Sequence, residues 1–95
     1  MLKYETTRTA DSEIFSAIEY IKNELCNDAA ARKLYINIFK KIDKICSSPK
    51  SYTVLSVLKH EYRRATVGRH KLVYYVEDDV VKIARLYGPR QQIKE

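Results

Sequence analysis

The sequence predicts an α+β domain in the order β-α-α-β-β-β, with an N-terminal strand and a helical hairpin packed on one face of an antiparallel sheet. Three observations carry this. Residues 70–76 and 80–87 are rich in β-branched and aromatic side chains, and Glu77, Asp78 and Asp79 between them bury badly and turn well, so the pair reads as an antiparallel hairpin. Residues 11–46 hold two apolar stripes at helical spacing, separated by Asn27 and Asp28. The opening residues 2–7, Leu-Lys-Tyr-Glu-Thr-Thr, alternate and contain β-formers.

After the first strand, Thr9 or Asp11 is suited to cap a helix. Over 11–25 the residues Ile14, Ile18, Ile21 and Leu25 recur at intervals of four, three and four, and Phe15 and Ala17 widen the stripe. Asn27 and Asp28 break that helix and cap a second over 29–46, whose stripe is Leu34, Ile38, Ile42 and Ile45 with Tyr35 and Phe39 beside it. So short a break makes the helices antiparallel neighbours. Ser47-Ser48-Pro49 ends the second helix. Residues 50–58 fit either a loop or an irregular strand through Tyr52-Thr53-Val54-Leu55, and residues 61–67 form a further strand ended by Gly68.

Both helical stripes need the same partner, one face of the sheet, which leaves the other face partly open. His70, Leu72, Tyr74 and Val76 are the more apolar side of their strand and are expected toward the helices, with Lys71, Val73 and Tyr75 on the open side. Period two groups Arg63 with Ala65 and Arg64 with Thr66 without saying which pair faces out. Both faces of 80–87 are mixed, so that strand has no readable orientation. A charged side chain under the helices is desolvated, so the basic residues of the sheet are expected on the open face.

Ninety-five residues suit one domain, 1–95, with a single core. The net charge of +6 is uneven. Residues 1–48 hold eight Lys/Arg and seven Asp/Glu, whereas residues 49–95 hold ten and five. The most basic stretch is 59–71, with Lys59, Arg63, Arg64, Arg69 and Lys71 against Glu61, and such a surface suits phosphate or carboxylate. Cys26 and Cys46 are too few for a disulfide framework. At the far ends of two helices they stand about 27 Å apart, so both are expected as reduced, semi-buried thiols. No His/Cys spacing resembles a metal site, and two glycines, Gly68 and Gly88, make no phosphate loop, so neither metal nor cofactor is expected. No apolar run approaches a membrane span and the first residues lack a signal-peptide core, so no membrane partner is expected and the expected location is the cytoplasm.

The ordered set of these features resembles the RelE/ParE superfamily of toxins from bacterial toxin–antitoxin pairs. The resemblance spans nearly the whole chain. It rests on the opening strand, Ala10-Asp11 with Ile18-Glu19-Tyr20-Ile21, and Ala30-Ala31 with Ile38, Ile42, Ile45 and Ser48-Pro49. It continues through Tyr62-Arg63, Gly68-Arg69-His70-Lys71-Leu72-Val73-Tyr74, and Val81-Lys82-Ile83-Ala84-Arg85-Leu86-Tyr87 followed by Arg90. It implies a cytoplasmic growth inhibitor, often a plasmid-stabilisation element, held inactive by a cognate antitoxin that lays an acidic or amphipathic segment over its basic face. RelE-like members cut messenger RNA on the ribosome; ParE-like members poison DNA gyrase.

For cleavage, the resemblance implies Arg63 as a basic strand residue, Lys71 as the counterpart of a strand arginine, and Arg90 stabilising phosphorane charge. Lys59, Arg64, Arg69 and Arg85 then contact nucleic acid. The pattern departs from the family at Ala65, where a second lysine is expected, and at Gly88, where many relatives place a histidine. The chain also stops at Glu95, before a terminal tyrosine. Tyr87, His60 and His70 are the only nearby candidates for a general acid. Two functions follow: an mRNA interferase, favoured by the basic cluster, or a gyrase inhibitor without hydrolytic chemistry, favoured by the two-helix front with its Tyr20-Ile21 step and the missing acid. A degenerate toxin that binds only its antitoxin is the third reading.

Overall fold

The computed structural model describes residues 1–91. Its elements are β1 (Lys3–Thr6), α1 (Arg8–Glu19), α2 (Asp28–Ser47), β2 (Thr53–Val57), β3 (Glu61–Val67), β4 (His70–Glu77) and β5 (Val80–Tyr87). The strands form one sheet in the order β1-β5-β4-β3-β2. β1 lies parallel to β5, and every other pairing is antiparallel. The α+β class and the helical hairpin on one face stand as the sequence predicts. Residues 53–57, left open between loop and strand, form the edge strand β2.

The α1 cap is Thr7, not Thr9 or Asp11: the Thr7 hydroxyl accepts from the Ala10 backbone N–H at 3.0 Å and donates to the Ala84 carbonyl at 2.9 Å. One side chain thus starts the helix and fastens it to β5. α1 ends in a π-helical turn, Tyr20–Glu24, and Cys26 closes the connection with φ +49°. The Asn27 side chain caps α2 by accepting from Ala30 N–H at 3.0 Å, as the sequence indicates. Asp78 and Asp79, with φ +54° and +61°, make the two-residue β4–β5 turn, whose positive φ pair matches strand twist and suits Asp. Gly68, φ +59°, turns β3 into β4; no atom lies within 4 Å of where its Cβ would stand, so backbone conformation rather than space calls for glycine there.

The core lies between the helices and one sheet face. Ile14, Leu34, Ile38, Ile42 and Ile45 meet Ala65, Val67, Leu72, Tyr74, Val81, Ile83 and Leu86. Two stripe residues are corrected: Phe15 and Leu25 are 65% and 56% exposed, outside the arc that the sheet covers. Val76 is also exposed, where β4 runs past the helices.

The mixed faces of β5 have a structural cause. Val73 pairs with Arg85 but Tyr74 pairs with Ile83, so Ala84 is an extra residue, a bulge. Val81 and Ile83 face the core before it and Leu86 after it, a spacing that no strict period of two contains. A second shift sets Leu55 as the extra residue of β2 against β3.

Candidate functional site

Side chains opposite to Leu72 and Tyr74 form the open face, and register arranges them in rows. Thr66, Lys71 and Tyr87 are cross-strand neighbours; Arg64, Val73 and Arg85 form the next row; Tyr75, Lys82 and Glu5 the third, with Tyr62 beside Tyr75. The face is bipolar. Arg64, Lys71, Arg69 and Arg90 stand toward the end that holds the β3–β4 turn and the exit of β5. Glu77, Asp78 and Asp79 occupy the other end, with the aromatic group His60, Tyr62 and Tyr75.

At the basic end, none of Arg64, Arg69, Lys71 and Arg90 has a carboxylate partner among the described residues. Arg69 and Arg90 are exposed, and Arg64 and Lys71 are half-buried. Arg85 is differently placed. Its Nε and Nη2 donate to Glu13 of α1 at 2.8–3.1 Å in a forked pair, and Glu13 Oε1 also accepts from the Leu86 backbone N–H at 3.0 Å. β5 has outrun its partner β1 at this point, so a helix carboxylate takes the place of the missing strand. The Glu13 hydrogen bonds hold Arg85 above its ordinary pKa. Its guanidinium lies 4.8 Å from the Tyr87 ring, and Tyr87 is buried beneath it.

Arg63 corrects the expectation that the basic side chains of the sheet look to the open side. It shares the helix-covered face with Ala65 and Val67. Nη1 donates to the carbonyls of Lys50 at 3.2 Å and Tyr52 at 2.7 Å, and Nη2 pairs with Glu61. Backbone carbonyls, invisible to a search for acidic partners, meet its desolvation cost. The Tyr74 hydroxyl donates to the Pro49 carbonyl at 2.5 Å, so two side chains fasten the short turn Pro49–Ser51 that follows α2. Burial drives the Tyr74 phenol up to about 12.

At the acidic end, His60 stacks on Tyr75 at 3.8 Å and 9°, and Tyr62 meets both rings edge-on. His60 Nδ1 lies 3.7 Å from Glu77. His70 faces the helix side beside Val67, and burial lowers its pKa.

Residues 4–93 match the family described as the ParE toxin of the type II toxin–antitoxin system parDE. The chain belongs to the ParE toxin family. Membership of this family implies an antitoxin as partner. No curated protein matches the sequence. Among solved structures, the chromosomal ParDE system of P. aeruginosa is similar with a TM-score of 0.77 and 16% identity, over 93% of this chain and 96% of that one. The YoeB dimer of Staphylococcus aureus gives 0.61 and 24%, over 90% and 94%. The protein HP0894 of Helicobacter pylori gives 0.51 and 16%, over 93% and 94%. At these identities the likeness is one of fold.

Within this ParE-family fold, the residues singled out for cleavage are dispersed. Lys71 and Tyr87 are neighbours on the open face, Arg90 is exposed in the turn after β5, and Arg63 is on the opposite side of the sheet. Of the residues singled out for nucleic-acid contact, Arg64 and Arg69 share the basic end, Arg85 is held by Glu13, and Lys59 lies in the β2–β3 loop at the acidic end. Glu13 is not legible from sequence because nothing local marks a helix carboxylate that reaches a strand 72 residues later. Tyr62 is legible, since period two sets it with Arg64. No described helix is long and apolar enough to cross a membrane.

Proposed function

We propose that this toxin inhibits growth by binding a macromolecular target rather than by hydrolysis, and that the target is DNA gyrase, as in ParE-like members. The observation that supports this is the location of Arg63. A nuclease built on Arg63, Lys71, Tyr87 and Arg90 needs all four around one phosphate, and Arg63 is committed to two carbonyls on the far side of the sheet. Tyr87, the phenol nearest Lys71, lies beneath the Arg85 guanidinium. The histidines are no better placed to supply a proton, since His60 stacks at the acidic end and His70 faces the helices. What the open face offers is a group of cations, Arg64, Arg69, Lys71 and Arg90, fitted to an anionic surface.

Ribosome-dependent mRNA cleavage is the second reading, favoured by the juxtaposition of Lys71 and Tyr87. Purified toxin separates the two. Binding to gyrase inhibits supercoiling and accumulates gyrase-dependent DNA breaks, while ribosome-bound message stays intact in primer extension. Lys71→Ala and Arg90→Ala weaken inhibition without changing the fold. Cleaved message with unaffected gyrase refutes the proposal in favour of the second reading. Growth on induction, with and without the antitoxin, identifies a degenerate toxin.

A further inference from the structure

The near-balance of charge in residues 1–48 conceals a segregation that folding brings out. α2 holds five of the eight Lys/Arg of that half, Arg32, Lys33, Lys40, Lys41 and Lys44, and two of its seven Asp/Glu, Asp28 and Asp43. Leu34, Ile38, Ile42 and Ile45 turn the inner side of the helix onto the sheet. Helical spacing therefore sets Lys33, Lys40 and Lys44, at intervals of seven and four, in a row on the outer side, with Arg32 beside it. All four are exposed, and none is in an ion pair among the described residues. Asp43 is the one carboxylate of α2 on that side. Lys41 is set apart, half-buried with its ammonium 5.7 Å from the Tyr52 ring. Helix stability does not account for the row. Lys44 in the last turn suits the helix dipole, but Lys40 and Lys44, four apart, repel each other, and Arg32 and Lys33 are in the half nearer the positive end.

We propose that the outer side of α2 is a second cationic surface, on the far side of the molecule from the open sheet face, and that it docks on the phosphate backbone of duplex DNA. Spacing and composition choose the occupant. From Lys33 to Lys44 the row runs about 16 Å, a length over which a duplex presents about ten phosphate charges. A single strand needs aromatic rings for its bases to stack on, and the outer side offers none: Tyr35 and Phe39 lie on the flank, paired with each other at 4.9 Å, and Phe39 packs against the core. A lipid surface needs apolar area among the cations, and Ile36 is the one large apolar residue exposed there. Contacts to phosphate read no base, so binding is independent of DNA sequence. The choice of DNA over RNA rests on the gyrase reading above.

Fluorescence anisotropy with a short DNA duplex of mixed sequence tests the surface on the isolated full chain. Supercoiling by gyrase is followed separately, so failure of one reading leaves the other measurable. Glutamine keeps the helix propensity of lysine and removes its charge. The triple variant Lys33→Gln, Lys40→Gln, Lys44→Gln is expected to bind the duplex at least about tenfold more weakly at low salt, with the slope of log K against log salt shallower by about 3, one for each lysine. Arg64→Gln with Lys71→Gln, on the open face, changes duplex binding less. A triple variant that binds as the parent does overturns the inference, as does an open-face pair that loses more. Tighter binding to the single strand, to an RNA duplex or to anionic phosphatidylserine vesicles than to duplex DNA also overturns it. Lysine acetylation read by mass spectrometry needs no substitution: bound duplex protects Lys33, Lys40 and Lys44 more than Lys71, and equal or reversed protection overturns the inference.

Discussion

Glu13 plays two parts, and removing it has a magnitude that the structure sets. It accepts the Leu86 backbone N–H at 3.0 Å and forks onto Arg85 at 2.8–3.1 Å. Leu86 is 2% exposed, so in Glu13→Ala its N–H loses an acceptor where water has little access, at about 1–3 kcal/mol. The Arg85 side chain is 43% exposed, so solvent screening limits the ion pair to about 0.5–1 kcal/mol. Alanine's better helix propensity returns a few tenths of a kcal/mol. The expected loss is about 1–4 kcal/mol, and for a domain of this size each kcal/mol lowers Tm by about 4–8 °C. Glu13→Gln keeps a carbonyl for Leu86 and one contact for Arg85, and is expected to lose about 1 kcal/mol. Urea unfolding followed by circular dichroism measures both, with an unchanged m-value excluding an altered unfolded state. A Glu13→Ala protein within about 0.5 kcal/mol of the parent refutes the reasoning, as does a Gln variant as unstable as the Ala variant.

Alkaline and acid limits follow from two further groups. The Tyr74 phenol, raised by burial to about 12 from an ordinary 10.0, keeps its stabilisation intact below pH 10 and loses it as pH climbs toward 12. Tyr74→Phe costs about 1 kcal/mol at neutral pH and abolishes that alkaline loss, measured by unfolding at stepped pH. Burial lowers the His70 pKa, so its contribution is complete above its ordinary 6.5 and falls away as pH drops below it; His70→Gln flattens that slope in the same experiment. The thiols separate by accessibility. Cys26 is exposed, contrary to the semi-buried expectation, and Cys46 is buried with a raised pKa. A thiol reagent therefore modifies one equivalent rapidly in the native protein and the second only on unfolding; two rapid equivalents contradict this burial.

The fold was legible because its long elements carry strong periodic signals. Ile38, Ile42 and Ile45 mark the buried face of α2, and β3, β4 and β5 are bounded by Gly68 and the Asp78-Asp79 turn. The site was legible only in part. Charge density pointed to 59–71, but alternation alone left the facing of Arg63 and Arg64 open, and the expectation of a wholly open-side basic set missed partners made of backbone. Glu13 and the extra residue Ala84 were hidden for a related reason: both are set by pairing between segments far apart in sequence, and a local window contains neither.

That extra residue has a bearing on how roles are carried between relatives. Past Ala84, β5 exchanges its inward and outward sets, so Arg85 and Tyr87 join the open face, with Tyr87 covered by the Arg85 guanidinium, while Leu86 turns in. A related chain lacking the insertion, aligned without a gap at this position, has its cations matched to buried leucine and its aliphatic residues matched to Arg85. The comparison that keeps the chemistry straight is therefore by cross-strand partner, Lys71 with Tyr87 and Val73 with Arg85, and not by count along the chain.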